Sequence, residues 1–179
     1  MYSPKAIINL NNLESNITYL KQLSEGSKIF PVIKANGYGH GLIKTAKFLS
    51  TNGIDCVCVA TYSEIEKIIK HKVEIDIFHL GQICYDDFEI YFQKNVILTI
   101  NSIEDANEVI TITNKIRKHI RCHIKVDTGM NRMGCKMRDF KNIYSCIKNA
   151  NFLSLEGAYT HLSSSGDLYS EANKSNIAQ

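Results

Sequence analysis

Several things are missing from this sequence of 179 residues, and each absence narrows its class. No apolar stretch is long enough to cross a bilayer as a helix, so a membrane protein is not expected. The opening MYSPKAIINLNN lacks a charged start followed by an apolar core, so no signal peptide is expected either. The net charge of +3 is too small to imply nucleic acid, and no Lys/Arg-rich run or recognition motif occurs. The densest lysine cluster, Lys67 to Lys72, reads as the solvated face of a helix. Among the six cysteines (Cys56, Cys58, Cys84, Cys122, Cys135 and Cys146) there is no CxxC pair with zinc spacing, so no metal site is expected. Cys56, Cys58 and Cys122 fall in apolar, strand-like runs, where a thiol behaves as a small hydrophobe. Reduced structural cysteines in a cytoplasmic protein are the expectation. No linker, low-complexity segment or fine repeat breaks the chain, and its length suits one domain, 1–179.

What is present is ordinary soluble composition, 44% hydrophobic and 22% charged, laid out as a regular alternation. Short apolar runs occur at 29–34, 54–61, 75–81, 95–101, 121–127 and 152–161. Segments of helical periodicity lie between them at 41–52, 63–72, 85–94, 102–118 and 137–150. A lead-in over 5–25 reads as a short strand followed by a helix. Ser63 with Glu66, and Ser102 with Asp105, stand in helix N-cap relation, the first being the better capping box. Such alternation predicts a parallel sheet flanked by helices, an α/β fold. Polar residues choose between an open sheet and a barrel. Lys34, Asp127 and His161 each end a predicted strand, and a (β/α)8 TIM-type barrel gathers its functional groups at the carboxyl ends of many strands.

The first chemical motif is FPVIKANGYGHG, residues 30–41. Its glycines follow a strand, but G-x-G-x-G is not the dinucleotide fingerprint, and the acid expected near the end of the next strand is missing. A Walker A loop also fails, because the lysine precedes the glycines. A strand-end lysine often only reaches water. Against that stands a chemical fit: a lysine that forms a Schiff base needs a fixed stem and a partly desolvated, neutral amine. Lys34 at a strand end, beside a loop of small residues that permits close approach of a ligand, meets both needs. Tyr38, four residues on, can offer its hydroxyl to a phosphate on that ligand.

In the second motif, HIKVDTGMNRMG (123–134), His123, Lys125 and Asp127 point one way along a strand while Ile124 and Val126 point the other. Three ionisable groups on one face need partners if buried. Arg132, on the turn that follows, is placed to supply one. A structural ion network and a functional site both fit this face when it is taken alone.

IKANGYGHG, followed about ninety residues later by IKVDTGMNRMG and then GAYTHLSSSGD, resembles the alanine racemase family in order, spacing and strand-end position. KAIINLNNLESNI is similar to the family's N-terminal signature, with Asn9 and Asn11 where acids are common. The resemblance covers essentially the whole chain. It implies an isomerase that interconverts L- and D-alanine for peptidoglycan, with pyridoxal 5'-phosphate as cofactor and a cytoplasmic homodimer as the working form. By the same resemblance, Lys34 would form the internal aldimine and act as the base on one face of the substrate, and Tyr38 would bind the cofactor phosphate. Val32 and Leu80 would pack near the pyridine ring, with His161 beside it. Arg132 would contact the substrate carboxylate and the cofactor's phenolic oxygen. Lys125 would be the carbamylated lysine, an anion holding Arg132.

The departure is length. The family fold is an eight-stranded barrel followed by a mostly β domain, and a barrel alone needs about 250 residues. Up to Gln179, where the helix after the sixth run is expected, there is room for about six strand–helix units. The expectation is thus an incomplete barrel with the C-terminal β domain absent. The opposite-face base, a tyrosine of that domain, would be missing too, leaving the chain inactive alone. Two other readings remain open: a pyridoxal-phosphate barrel without racemase activity, of the homeostasis type, and a non-catalytic remnant.

Overall fold

The structure, a computed structural model, describes residues 5–93, 96–164 and 166. It divides into two compact units, Met1–Leu80 and Gly81–Gln179. Among the described residues, no helix is long and apolar enough to cross a membrane.

The first unit opens with helix α1 (Leu10–Leu23). Asn9 caps it, its side chain accepting from the Asn11 N–H at 2.9 Å. Asn caps a helix as well as Asp does, so the departure at Asn9 from an acidic signature leaves the local structure intact. No strand precedes α1 in the described residues: Ile7 and Ile8 lie outside any ladder. Lys21 reaches across to the Asn52 carbonyl, fixing the helix by its basic end.

The expected strand at 29–34 is reduced to a single parallel bridge between Val32 and Cys58, carried by Ile33 N–H to Cys58 O (2.9 Å) and Cys58 N–H to Pro31 O (2.8 Å). Both limits have physical causes. The donor needed one step earlier in that register is the N–H of residue 31, and Pro31 has none. The donor needed one step later is the Ala35 N–H, which goes instead to the Glu64 carboxylate at 2.6 Å. The chain then makes a short turn, α2 (Lys34–Tyr38), and helix α3 (Leu42–Thr51).

Strand β1 (Cys56–Val59) is buried throughout, as a parallel strand covered on both faces should be. It pairs in parallel with β2 (Asp76–His79), from Cys56 opposite Asp76 to Val59 opposite His79. Between them lies α4 (Tyr62–Lys70), with Ile65 and Ile68 turned fully inward and Lys67 and Lys70 exposed, as the lysine cluster predicted. Each of those isoleucines contributes roughly 1.5–3 kcal/mol by leaving water. The capping box of α4 is Thr61 with Glu64, not Ser63 with Glu66. Thr61 carries the extended backbone (φ −128, ψ 150) that a cap needs, and Ser63 is already inside the helix.

In the second unit the helix expected at 85–94 shrinks to α5 (Ile90–Gln93). Tyr85, Phe88 and Tyr91 recur every three residues and pack ring on ring, Phe88 to Tyr91 at 5.2 Å between centroids. That spacing suits tighter three-residue turns, seen in Tyr91 N–H to Phe88 O and Phe92 N–H to Glu89 O, both 3.1 Å. Strand β3 (Val96–Ile100) is wholly buried and leads to α6 (Ile103–Ile116), where Ser102 caps Asp105 N–H as expected. Strands β4 (Ile120–Lys125) and β5 (Leu153–Tyr159) complete a parallel ladder with β3, and α7 (Met137–Lys148) joins them. One register shift, between Cys122 and His123, makes Glu156 an extra residue in β5 and sets Gly157 opposite His123. The helix expected towards Gln179 lies outside the described residues.

Candidate active site

In the first unit, Lys34 is half-buried at the point where extended backbone gives way to a left-handed turn. Five consecutive residues have positive φ: Ala35 (52), Asn36 (56), Gly37 (65), Tyr38 (51) and Gly39 (90). For the non-glycine residues this region costs about 1–2 kcal/mol each, so the turn must be held. Glu64 holds its first N–H, the Asn36 side chain accepts from Leu42 N–H at 3.0 Å, and Gly41 N–H returns to Asn36 O at 2.8 Å. His40 Nδ1 lies 2.8 Å from Gly37 O. Tyr38, on the turn, is 60% exposed, and Val32, in the bridge before it, is 41% exposed. Leu80 is half-buried just past β2, its N–H on Val59 O at 2.8 Å.

A side chain added at Gly39 or Gly41 would meet nothing within 4 Å, so the glycines on either side of His40 leave open space. Among the described residues, the buried Thr45 hydroxyl under the loop has no hydrogen-bond partner. A primary amine, a phenol and an open loop of small residues fit an aldehyde-bearing phosphate ligand.

Two further groups in this unit went unnoticed in the sequence. Glu64 is buried, yet binds three backbone N–H groups. His79, at the end of β2, is 1% exposed, and burial drives its imidazole down to about 4, against the opposing pull of the Ala60 backbone and the Glu64 charge. Thr-x-x-Glu at 61–64 was a readable signal for Glu64. A histidine inside an apolar strand carried no comparable signal.

In the second unit, β3, β4 and β5 present a polar face. Thr99 and the Tyr159 hydroxyl are 2.8 Å apart, and His123 lies edge-on to the Tyr159 ring with centroids at 6.5 Å. Lys125 is only 5% exposed, its Nζ 5.7 Å from the Tyr159 ring centroid, in register with Tyr159 across the ladder. The sequence placed His123 and Lys125 on one face but missed Tyr159, the residue on which both converge. Burial lowers the His123 imidazole, the Glu156 charge opposing and Arg121 reinforcing. Gly157 makes this packing possible: a Cβ there would lie 3.2 Å from the His123 ring.

Asp127 organises the loop that carries Arg132. Its Oδ1 accepts from Gly129 N–H (3.1 Å) and Asn131 N–H (3.0 Å). Slight burial opposes its ionisation, but the N–H groups of Asn131, Gly129 and Met130 and the Lys125 charge outweigh that, holding the carboxyl below the ordinary aspartate range. The loop is closed at its base by Asp127 N–H to Cys135 O and Cys135 N–H to Lys125 O, both 2.9 Å. Arg132 is exposed on it, and among the described residues no carboxylate pairs with it. His161 is exposed two residues beyond β5, after Thr160, whose hydroxyl donates to Val126 O at 2.8 Å.

Comparison with known proteins bears on the whole chain. The profile of the alanine racemase N-terminal domain matches residues 8–179. The chain belongs to the alanine racemase N-terminal domain family. Alanine racemase from Staphylococcus epidermidis is 33% identical over 169 residues, covering 93% of this chain and 44% of that protein. The solved alanine racemase of Clostridium difficile 630 superposes with a TM-score of 0.88 at 29% identity, over 96% of this chain and 48% of its own. A histidine racemase from Leuconostoc mesenteroides shares the fold at 20% identity, with a TM-score of 0.86 over 94% of this chain and 46% of its own. The chain therefore spans less than half the length of these relatives, and its parallel strand–helix alternation is that family's TIM-type barrel in part.

Proposed function

We propose that this chain is the cofactor-bearing domain of a pyridoxal-phosphate-dependent alanine racemase, acting on L- and D-alanine and supplying D-alanine for peptidoglycan. The observation that carries the reading is Lys34: a half-buried lysine at the start of a left-handed, glycine-containing turn, four residues from an exposed tyrosine. Pyridoxal phosphate, when bound, acidifies the α-hydrogen of an amino acid by spreading the resulting electron pair into its ring. The protein's own residues do the rest. Lys34 anchors the cofactor covalently and moves the α-proton on one side. Tyr38 binds the phosphate with its hydroxyl. Val32, Leu80 and His161 pack about the ring, and Arg132 orients the substrate carboxylate and the cofactor's phenolic oxygen.

Racemisation takes a proton from one face and returns one to the other, so a second base is required. The family supplies it from its other domain across a homodimer, and the working enzyme is a cytoplasmic dimer in this reading. Residues 1–179 form one cofactor domain, with 5–25 as its lead-in.

For Lys125 the reading is a carbamate, formed by addition of carbon dioxide to the neutral amine with loss of a proton. Its near-complete burial supports this, since an ammonium is costly to bury. The Tyr159 ring gives the ammonium form a competing partner. Carbon-13 NMR with labelled bicarbonate separates the two states. The main reading is tested by borohydride reduction of the cofactor-loaded protein followed by peptide mapping. The pyridoxyl group should be found on Lys34; label on another lysine overturns the assignment.

A further inference from the structure

We propose that Glu64 is a positioning residue for the Lys34 amine, its carboxylate joining the left-handed turn to the end of β1. The proposal deepens the reading of Lys34 as the cofactor-bearing lysine and rests on it. Glu64 belongs to helix α4, outside the glycine loop, and is buried. Its Oε1 accepts from Ala35 N–H at 2.6 Å, while Oε2 accepts from Ala60 N–H at 2.9 Å and Thr61 N–H at 3.1 Å. Helix capping accounts for the Thr61 bond alone. The other two are surplus to it, and the shortest of the three goes to the residue directly after Lys34.

The register explains what that bond does. With Val32 opposite Cys58 and Ile33 N–H on Cys58 O, a continuing parallel ladder would place Ala35 N–H on the Ala60 carbonyl. Ala35 instead turns left-handed, at φ 52. The carboxylate fills the break, accepting the Ala35 donor with one oxygen and holding the end of β1 with the other. A charged acceptor makes the stronger kind of hydrogen bond, and a half-buried lysine stem beside it inherits its direction from that backbone.

The test compares Glu64→Gln with Thr61→Ala in the intact protein. Gln keeps the shape but must turn an NH2 group towards backbone donors; Thr61→Ala weakens the helix cap and leaves the carboxylate in place. Two quantities are read. One is amide hydrogen exchange at Ala35, which needs no cofactor. The other is the rate at which added pyridoxal phosphate is captured by the neutral Lys34 amine, the aldehyde oxygen leaving as water as the carbon–nitrogen double bond forms. In Glu64→Gln, Ala35 should exchange about tenfold faster or more, the scale of a lost hydrogen bond to a charged group, with capture at Lys34 slowed alongside. Thr61→Ala should leave both near the unaltered rates. Ala35→Gly in the Glu64→Gln background should recover part of the capture rate, because glycine takes the left-handed region without strain. Should the Gln variant fail to fold, Glu64→Asp, with its charge kept and its reach cut by one methylene, should show the same pattern. Equal effects of Thr61→Ala and the Glu64 variants, or unchanged Ala35 exchange and capture, overturn the proposal. Failure of the underlying reading shows separately, as borohydride labelling away from Lys34 in the unaltered protein.

Discussion

In Met1–Leu80, Lys34 is followed by five residues of positive φ, and the site's shape is held by backbone N–H groups tied to Glu64 and Asn36. In Gly81–Gln179, Lys125 ends a regular strand, and the site's shape comes from cross-strand side chains: Tyr159 against Lys125 and His123, with its hydroxyl on Thr99. The first arrangement stores strain and needs anchors; the second follows from register. Substitutions that alter backbone freedom should therefore matter most in the first unit, and those that alter side-chain volume in the second.

The largest expected effect tests the first side of this contrast at its centre. On the function proposed above, Lys34→Ala should abolish racemisation by the enzyme that carries this domain, proton transfer alone being worth roughly 10²–10⁴-fold. D-alanine formation at near-normal turnover would show that the strained turn serves something other than chemistry. Gly134→Ala is the substitution best placed to break the contrast, since it is a backbone effect in the second unit. Gly134 has φ +114, and a Cβ there would lie 2.9 Å from Asp127 N and 3.0 Å from Val126 C, so backbone must move. A loss of about 2–4 kcal/mol in denaturant unfolding is expected from strain and overpacking together. Little or no loss would mean that the Arg132 loop yields freely.

A pH titration of stability sharpens the comparison next. His79 has a folded-state value of about 4, below the ordinary value of about 6.5, so its stabilising effect is fully present above about 6.5. As pH falls from there towards 4, the unfolded chain binds a proton that the folded chain refuses, and stability should drop by up to about 3 kcal/mol. The lowered His123 acts in the same direction in the second unit. Denaturation midpoints measured for His79→Asn should vary less over this range than those of the unaltered protein; identical profiles would remove His79 as the cause. The smallest effect expected is Thr61→Ala, about 1 kcal/mol for a lost N-cap, read as a modest fall in melting temperature.

The alternation of elements was readable because buried parallel strands such as CVCV and VILTI are apolar apart from Thr99, while α4 and α6 keep helical spacing and caps. Lys34, Tyr38 and Arg132 stood out because ionisable groups beside glycines at strand ends are chemically conspicuous. Other features were hidden for reasons of competition. Pro31 and Glu64 both take hydrogen bonds out of the first predicted strand, and neither effect is visible in an apolar pattern. The left-handed turn runs through Ala35 and Tyr38, which have no preference for that region, so only tertiary anchoring selects it. Tyr159 looked like one more apolar strand residue until its register with Lys125 was known.

None of the six cysteines is bonded to another, and they divide usefully between the units. Cys56 and Cys58 lie inside the first, and Cys122 and Cys135 inside the second, all four buried. Burial pushes the Cys58 and Cys122 thiols up to about 12, so at neutral pH neither presents a thiolate to an alkylating reagent. Modification must wait for the chain around each sulfur to open. The sequence thus carries its own pair of stopwatches: peptide-resolved alkylation times the opening of each unit separately, with the partly exposed Cys84 and Cys146 marking time zero. A bound ligand that clamps one unit would slow one watch and leave the other running.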